Sequence, residues 1–197
     1  PEEPTARSVN GAGTQNYGPS GAPVWNSPAI DIRRNQLTVG TGENYSSPAS
    51  GESDAVIAFD LTTGVVNWVY QATTGDAWNT ACGREEDTNC PIENGPDFDF
   101  GAGTLLARDK NGQDRVIGGQ KSGIVHAINP DTGKVIWSKY SSSSFNSDIK
   151  VYEDKFISID FDNVIRAISS KDGTELWNFK TDNSFIKSQK KLSIILK

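Results

Sequence analysis

The chain has 197 residues, among them 19 glycines and 9 prolines, and a formal net charge of −6. That acidity argues against a nucleic-acid partner, which selects basic surfaces, and no apolar run approaches the roughly 20 residues of a membrane-spanning helix. The glycine and proline content suits a turn-rich all-β chain, and the opening Pro1-Glu2-Glu3-Pro4 has neither the basic nor the apolar region of a signal peptide.

Short, mostly alternating apolar segments predict strands over Gln36–Gly40, Ala55–Asp60, Val65–Gln71, Thr104–Arg108, Arg115–Gly119, Ile124–Asn129 and Val135–Lys139. Further strands are predicted over Lys150–Tyr152, Phe156–Asp160, Val164–Ser169, Glu175–Lys180 and Leu192–Leu196. Turn signals at Thr63-Gly64, Asn111-Gly112, Thr132-Gly133 and Asp172-Gly173 separate them. No segment has the period of a helix.

Three of these hairpins echo one another. Ala58-Phe59-Asp60-Leu61-Thr62-Thr63-Gly64-Val65-Val66-Asn67-Trp68 returns as Ala127-Ile128-Asn129-Pro130-Asp131-Thr132-Gly133-Lys134-Val135-Ile136-Trp137. It returns again, more worn, from Ala167 through Asp172-Gly173 to Trp177. The tryptophans are 69 and 40 residues apart, and a repeat of about 40 residues built from short strands is the signature of propeller blades. Each glycine is expected at positive φ in a tight turn, each Asp or Asn on the turn amides, and each indole wedged between blades. A ring of six to eight blades needs roughly 240 to 340 residues, so the chain supplies a partial ring.

Two features break the regularity. The first interval between tryptophans is 29 residues too long, and Gly75 to Pro96 absorbs most of the excess as an insertion of the kind that lies on one, often functional, face. It holds Cys82 and Cys90, whose short spacing closes readily into a disulfide and fits an oxidising compartment; two free thiols is the other reading. The composition also changes. Residues 1–138 hold every proline and 18 of the 19 glycines with a charge of −8, whereas residues 139–197 hold no proline, one glycine and a charge of +2. Two regions are therefore expected, 1–138 and 139–197, with Ser141–Ser144 at the seam.

Several chemistry-bearing residues read as structural. His126, the single histidine, sits in mid-strand without partners for acid–base or metal work. Asp109 to Asp114 lacks the glycine position and terminal Glu of a calcium loop and reads as a hairpin. Arg84-Glu85-Glu86-Asp87 reads as a solvated loop, and Gly11-Ala12-Gly13 and Gly40-Thr41-Gly42 lack the strand–turn–helix setting of a dinucleotide site.

Four segments carry a resemblance: Tyr17 to Asp31 (containing Gly21-Ala22-Pro23-Val24-Trp25), Val39-Gly40-Thr41-Gly42-Glu43-Asn44-Tyr45-Ser46, Gly95-Pro96-Asp97-Phe98-Asp99-Phe100-Gly101-Ala102 and Gly119-Gln120-Lys121-Ser122-Gly123. With the repeat, they resemble the quinoprotein alcohol dehydrogenases, eight-bladed propellers that hold pyrroloquinoline quinone (PQQ) and Ca²⁺. Residues 1–138 are most similar to the polyvinyl-alcohol dehydrogenase branch. The resemblance implies about four blades of an eight-bladed ring. It places Trp25 under the flat quinone, Asp99 as the base that takes the alcohol proton and faces the metal, and Lys121 on the quinone oxygens. Asp97 is the alternative to Asp99 by a two-residue slip. Glu43 falls where the family places a calcium-ligating asparagine, with Asn44 next to it, and either offers an oxygen ligand. The family's upstream calcium-ligating glutamate and adjacent-cysteine disulfide have no match in the chain.

The resemblance further implies a periplasmic setting, a secondary or polymeric alcohol substrate and cytochrome c as electron acceptor. The competing readings are structural: a packing tryptophan at 25, solvated loop carboxylates at 97 and 99, an exposed lysine at 121. Residues 139–197 are equally similar to the repeats of the outer-membrane assembly propeller lipoprotein, which holds no cofactor. A non-enzymatic scaffold and an inactive fragment therefore stand beside the enzyme. A scaffold has no reason to bring Trp25, Asp99 and Lys121 together.

Overall fold

The computed structural model describes residues 3–9, 13–18, 20–84, 89–141, 143–145 and 149–181. Every regular element among them is a strand. A hairpin of β1 (Thr5–Val9) and β2 (Gln15–Gly18) precedes three four-stranded antiparallel sheets, each laid out in chain order. The first holds β3 (Ala29–Asp31), β4 (Gln36–Gly40), β5 (Ala55–Asp60) and β6 (Val66–Gln71). The second holds β7 (Thr104–Arg108), β8 (Asp114–Gly119), β9 (Ile124–Ile128) and β10 (Val135–Tyr140). The third holds β11 (Lys150–Tyr152), β12 (Lys155–Ile159), β13 (Val164–Ser169) and β14 (Glu175–Lys180). The expected all-β propeller architecture is what the chain adopts; among the described residues it comprises three four-stranded blades and the two-stranded hairpin, against the expected four or so blades. Six predicted strands have their expected limits and five differ by one residue at one or both ends; β1, β2 and β3 were not expected, and Leu192–Leu196 lies outside the described residues.

The first strands, β3 and β11, both approach β7, so the first strands form the inner edge and the fourth strands point outward. In β5 every position from Ala55 to Ala58 is buried, which is why the run is apolar without alternation. The core accordingly lies between blades. Val56, Ala58, Trp68, Phe100, Val116 and Ile128 fill the space between the first and second. Ile117, Ala127, Phe145, Phe156 and Ile168 fill that between the second and third.

The repeat has a physical explanation at each position. Asp60 accepts hydrogen bonds from the amides of Thr62 and Thr63, and Asn129 from those of Asp131 and Thr132. Gly64, Gly133 and Gly173 close the turns at φ of 73°, 69° and 71°. The alanine stands directly across the ladder from the tryptophan in each copy: Ala58 with Trp68, Ala127 with Trp137, Ala167 with Trp177. A one-residue irregularity just before each tryptophan shifts the register, re-aiming its side chain. Trp68 Nε1 then donates to Pro130 O of the next blade at 2.9 Å, and Trp137 Nε1 donates to Ser170 O at 3.3 Å. At Gly133 the indole of Trp68 lies where a side chain would start: an added Cβ would sit 2.9 Å from the ring.

Candidate functional site

The four segments singled out in the sequence meet where the first and second blades adjoin. After β4 the chain runs through Thr41 and Gly42, and Gly42 N–H donates to Pro23 O at 2.9 Å. Asn26 Nδ2 donates to both Gly40 O (2.8 Å) and Phe100 O (2.6 Å). Phe100 N–H donates to Thr41 O at 3.1 Å and Lys121 N–H to Asp99 O at 2.9 Å. Backbone bonds therefore fix the positions of Trp25, Glu43, Asp99 and Lys121 relative to one another.

Asp99 is the hub. Its Oδ1 accepts from Glu43 N–H at 3.0 Å, and its Oδ2 lies 2.7 Å from Lys121 Nζ. Lys121 also reaches Asp97 Oδ1 at 2.7 Å. Residues 95–100 form no strand; both carboxylates still reach one lysine because Asp97 adopts a left-handed φ of 59°. Gly42 is packed against the Asp99 carboxylate so closely that any Cβ there would overlap Oδ1.

Charge is distributed unevenly across the cluster. Burial raises the Asp99 carboxyl, but the Glu43 carboxyl and backbone and the Lys121 ammonium override it and hold Asp99 below its usual range. Glu43 goes the other way, raised by burial and by the neighbouring Asp99. Burial lowers Lys121, and its two aspartate partners more than restore it. So an ionised Asp99 beside an ammonium faces a glutamate that resists ionisation.

Trp25 remains 45 % exposed, its ring edge against Gly101 and Lys121 Nζ 5.6 Å from its centroid. An open cavity of about 620 Å³ is lined by Trp25, Glu43, Asp99 and Lys121 together with Trp78 and Tyr45. Asn44 is fully buried, and its Oδ1 accepts from Ser50 N–H at 2.6 Å. A second cavity, about 750 Å³, lies between the first hairpin and the loop around Cys90; among the described residues no cluster of carboxylates converges there, and the smaller cavity is the one that fits ligand chemistry.

The insertion supplies the outer wall. Asn44 pairs with Ala77 as an isolated parallel bridge, Trp78 N–H donates to Asn44 O at 2.8 Å, and Gly95 N–H returns to Ala77 O at 3.1 Å. Cys82 and Cys90 are joined in a disulfide within it. Residues 85–87 of the acidic loop lie outside the described residues. Sequence reasoning missed Trp78, which lines the cavity, and two fully buried carboxylates behind it: Asp54, grouped with Glu43 and Asp99, and Asp76 beside Asp54. Trp78 stands in a polar, aperiodic stretch, and its aromatic isolation there was the available signal. Asp54 directly precedes β5 and reads as an ordinary strand boundary.

His126 is buried away from the cavity. Its Nδ1 contacts Ser138 Oγ (2.8 Å) and Tyr70 Oη (3.0 Å), and the Phe100 ring lies alongside.

Residues 76–195 match a family profile described as outer membrane protein assembly factor BamB. The chain is 38 % identical over 137 residues to a polyvinylalcohol dehydrogenase of a Pseudomonas sp., covering 69 % of this chain and 21 % of that protein. It is 36 % identical over 144 residues to the polyvinylalcohol dehydrogenase of Sphingopyxis sp. (strain 113P3), covering 72 % and 22 %. The chain thus spans about a fifth of the curated relatives it matches. Among solved structures it is similar in fold to BamB from Moraxella catarrhalis (TM-score 0.53, 15 % identity, 84 % of this chain and 40 % of that one). It is likewise similar to a europium-containing methanol dehydrogenase (TM-score 0.52, 16 % identity, 82 % and 26 %). The quinohemoprotein alcohol dehydrogenase from Comamonas testosteroni gives the same TM-score of 0.52, at 17 % identity over 82 % and 21 %.

Proposed function

The chain belongs to the propeller family whose profile is described as outer membrane protein assembly factor BamB; within that fold we propose that it carries the quinone-site portion of a PQQ-dependent alcohol dehydrogenase acting on secondary or polymeric alcohols. The observation that carries this reading is the convergence of Trp25, Glu43, Asp99 and Lys121 on one cavity between two blades. The polyvinylalcohol dehydrogenase relatives support it.

The residues present fit both groups. The exposed face of Trp25 and the Lys121 ammonium beside it suit a flat, polyanionic ring system. Glu43 Oε2 is buried with no hydrogen-bond partner, as expected of a hard oxygen donor awaiting a cation. Glu43 and Asp99 would hold Ca²⁺; the Asn44 oxygen would have to leave Ser50 to join them. Bound PQQ supplies the hydride acceptor. Asp99 Oδ2 accepts the alcohol proton, kept ionised for that task by Lys121 and Glu43. Trp78 and Tyr45 narrow the approach and restrict water. A periplasmic setting and cytochrome c as acceptor belong to the same proposal, and the Cys82–Cys90 disulfide supports the oxidising compartment. We also read regions 1–138 and 139–197 as blades of one ring, a reading that the family match across the seam supports.

In a full-length enzyme bearing these blades, Asp99→Asn is expected to lower alcohol-dependent dye reduction roughly a hundredfold to ten-thousandfold, while Asp97→Asn retains most of it. Activity that survives Asp99→Asn sinks the assignment. The scaffold reading is favoured by the description of the family profile; it predicts no quinone binding at all by that full-length protein.

A further inference from the structure

We propose that Asp54 is a third carboxylate ligand of the cation centre, reaching it from the interior side of Glu43 and Asp99. The inference rests on the reading of a cation at those two residues and adds a donor from a separate segment, the entry to β5.

Geometry carries the argument. Ligand oxygens of Glu43, Asp54 and Asp99 all lie within 4.8 Å of one another. Oxygens that share a Ca²⁺ at 2.3–2.6 Å are at most about 5 Å apart, so one ion can touch all three. The independent observation is the state of the Asp54 carboxylate itself. Asp54 is 0 % exposed, neither of its oxygens accepts a hydrogen bond from an N–H or hydroxyl donor, and its neighbour is a second carboxyl, that of Asp76. A buried carboxylate with a purely structural role accepts backbone or side-chain donors; one with none demands a proton or a cation. The backbone is pinned on both sides, with Asp54 N–H donating to Gly42 O at 3.0 Å and Asp54 O accepting from Ala72 N–H at 3.0 Å. The side chain therefore stays where it is without help from its own oxygens.

The charge balance agrees. Lys121 is committed to Asp97 and Asp99. Among the described residues no basic side chain pairs with Glu43, Asp54 or Asp76. Asp76, also fully buried, turns one oxygen to Phe98 N–H at 3.1 Å and leaves the other without a donor beside Asp54. Ionised carboxylates cannot bond to each other, so a divalent ion among Glu43, Asp54 and Asp99 resolves what is otherwise repulsion. Asp76 then acts as a positioning residue behind Asp54.

Terbium titration of this chain tests the idea, because Trp25 and Trp78 line the cavity and can sensitise Tb³⁺ luminescence; competition with Ca²⁺ gives the calcium affinity. The wild-type chain is expected to bind one ion, and Asp54→Asn to weaken binding at least tenfold, as Glu43→Gln does, with Asp76→Asn weakening it less. Asp54→Ser serves if the Asn variant does not fold, which circular dichroism reports, and the same tenfold loss is expected. If Glu43→Gln weakens binding and the Asp54 variant binds within twofold of wild type, Asp54 is no ligand and the cation reading stands without it. If the wild type shows no saturable binding, the cation reading and this inference fall together.

Discussion

At the scale of single residues, close packing decides the site. Gly42 touches the Asp99 carboxylate, and a methyl group there would displace Oδ1 from Glu43 N–H. Gly42→Ala is therefore expected to weaken Tb³⁺ binding at least tenfold while the far-UV circular dichroism spectrum stays unchanged, because the blades do not depend on that contact; unchanged binding would place the ion elsewhere. His126 makes a prediction of a different kind. Burial holds its imidazole down to about 4, among Tyr70, Phe100 and Ser138. A histidine whose folded-state pKa lies below its unfolded value stabilises the fold at pH above about 6.5 and loses that contribution as pH falls toward about 4, because the unfolded chain takes up the proton first. The wild type should lose up to about 3 kcal/mol more than His126→Gln between pH 7 and pH 4, read as the difference in urea midpoints; parallel pH profiles would show that the imidazole is not held neutral. The residues Trp25, Glu43, Asp99 and Lys121 were legible because each sits in a short, distinctive string. Asp54 was not, because what marks it is the lack of any donor around a buried carboxylate, a property of three segments folded together.

At the scale of elements, the three repeats share one device but not one environment. The alanine opposite each tryptophan leaves room for the indole, and the irregularity before it turns the ring toward the next blade. Trp68 is 8 % exposed and bonded to Pro130, whereas Trp177 is 48 % exposed. Trp68→Ala should cost about 3 to 5 kcal/mol, Trp137→Ala less, and Trp177→Ala under about 1 kcal/mol. Urea unfolding of the three variants orders them; equal losses would mean that the indoles stabilise their own sheets rather than the contact between blades. Strand limits were readable at strands such as Ala55–Asp60 and Val164–Ser169, whose mostly buried runs end in turn residues, and were off by a single residue at Ile124–Ile128 and Lys155–Ile159. They were not readable for Ala29–Asp31, three residues long, or for the exposed hairpin Thr5–Val9 and Gln15–Gly18, where no face is apolar enough to set a period. The insertion likewise gives no periodic signal. Its course across the cavity is set by the pairing of Ala77 with Asn44 and by a disulfide, both non-local.

At the scale of the whole molecule, the site belongs to a contact between two blades rather than to either blade. Asp99 precedes β7 in the second blade, Glu43 follows β4 in the first, and Lys121 follows β8. Blade-to-blade packing through Phe100, Trp68 and Ile128 therefore positions the chemistry, and anything that loosens it loosens the site. A ligand seated here is held from one side only: Trp25 keeps 45 % of its surface exposed, and the cavity is open. Affinity for a rigid, polyanionic quinone grows with the surface it buries and the charges it meets, and this chain offers one ammonium at the ring, already shared by Asp97 and Asp99. The chain by itself should therefore bind PQQ in the presence of Ca²⁺ only weakly, with quenching of tryptophan fluorescence that does not saturate in the micromolar range. A full-length enzyme bearing the same blades should saturate there. Saturable micromolar quenching of this chain, abolished by Asp99→Ala, would show instead that two adjacent blades make a complete quinone site and that further blades serve the substrate and the electron acceptor.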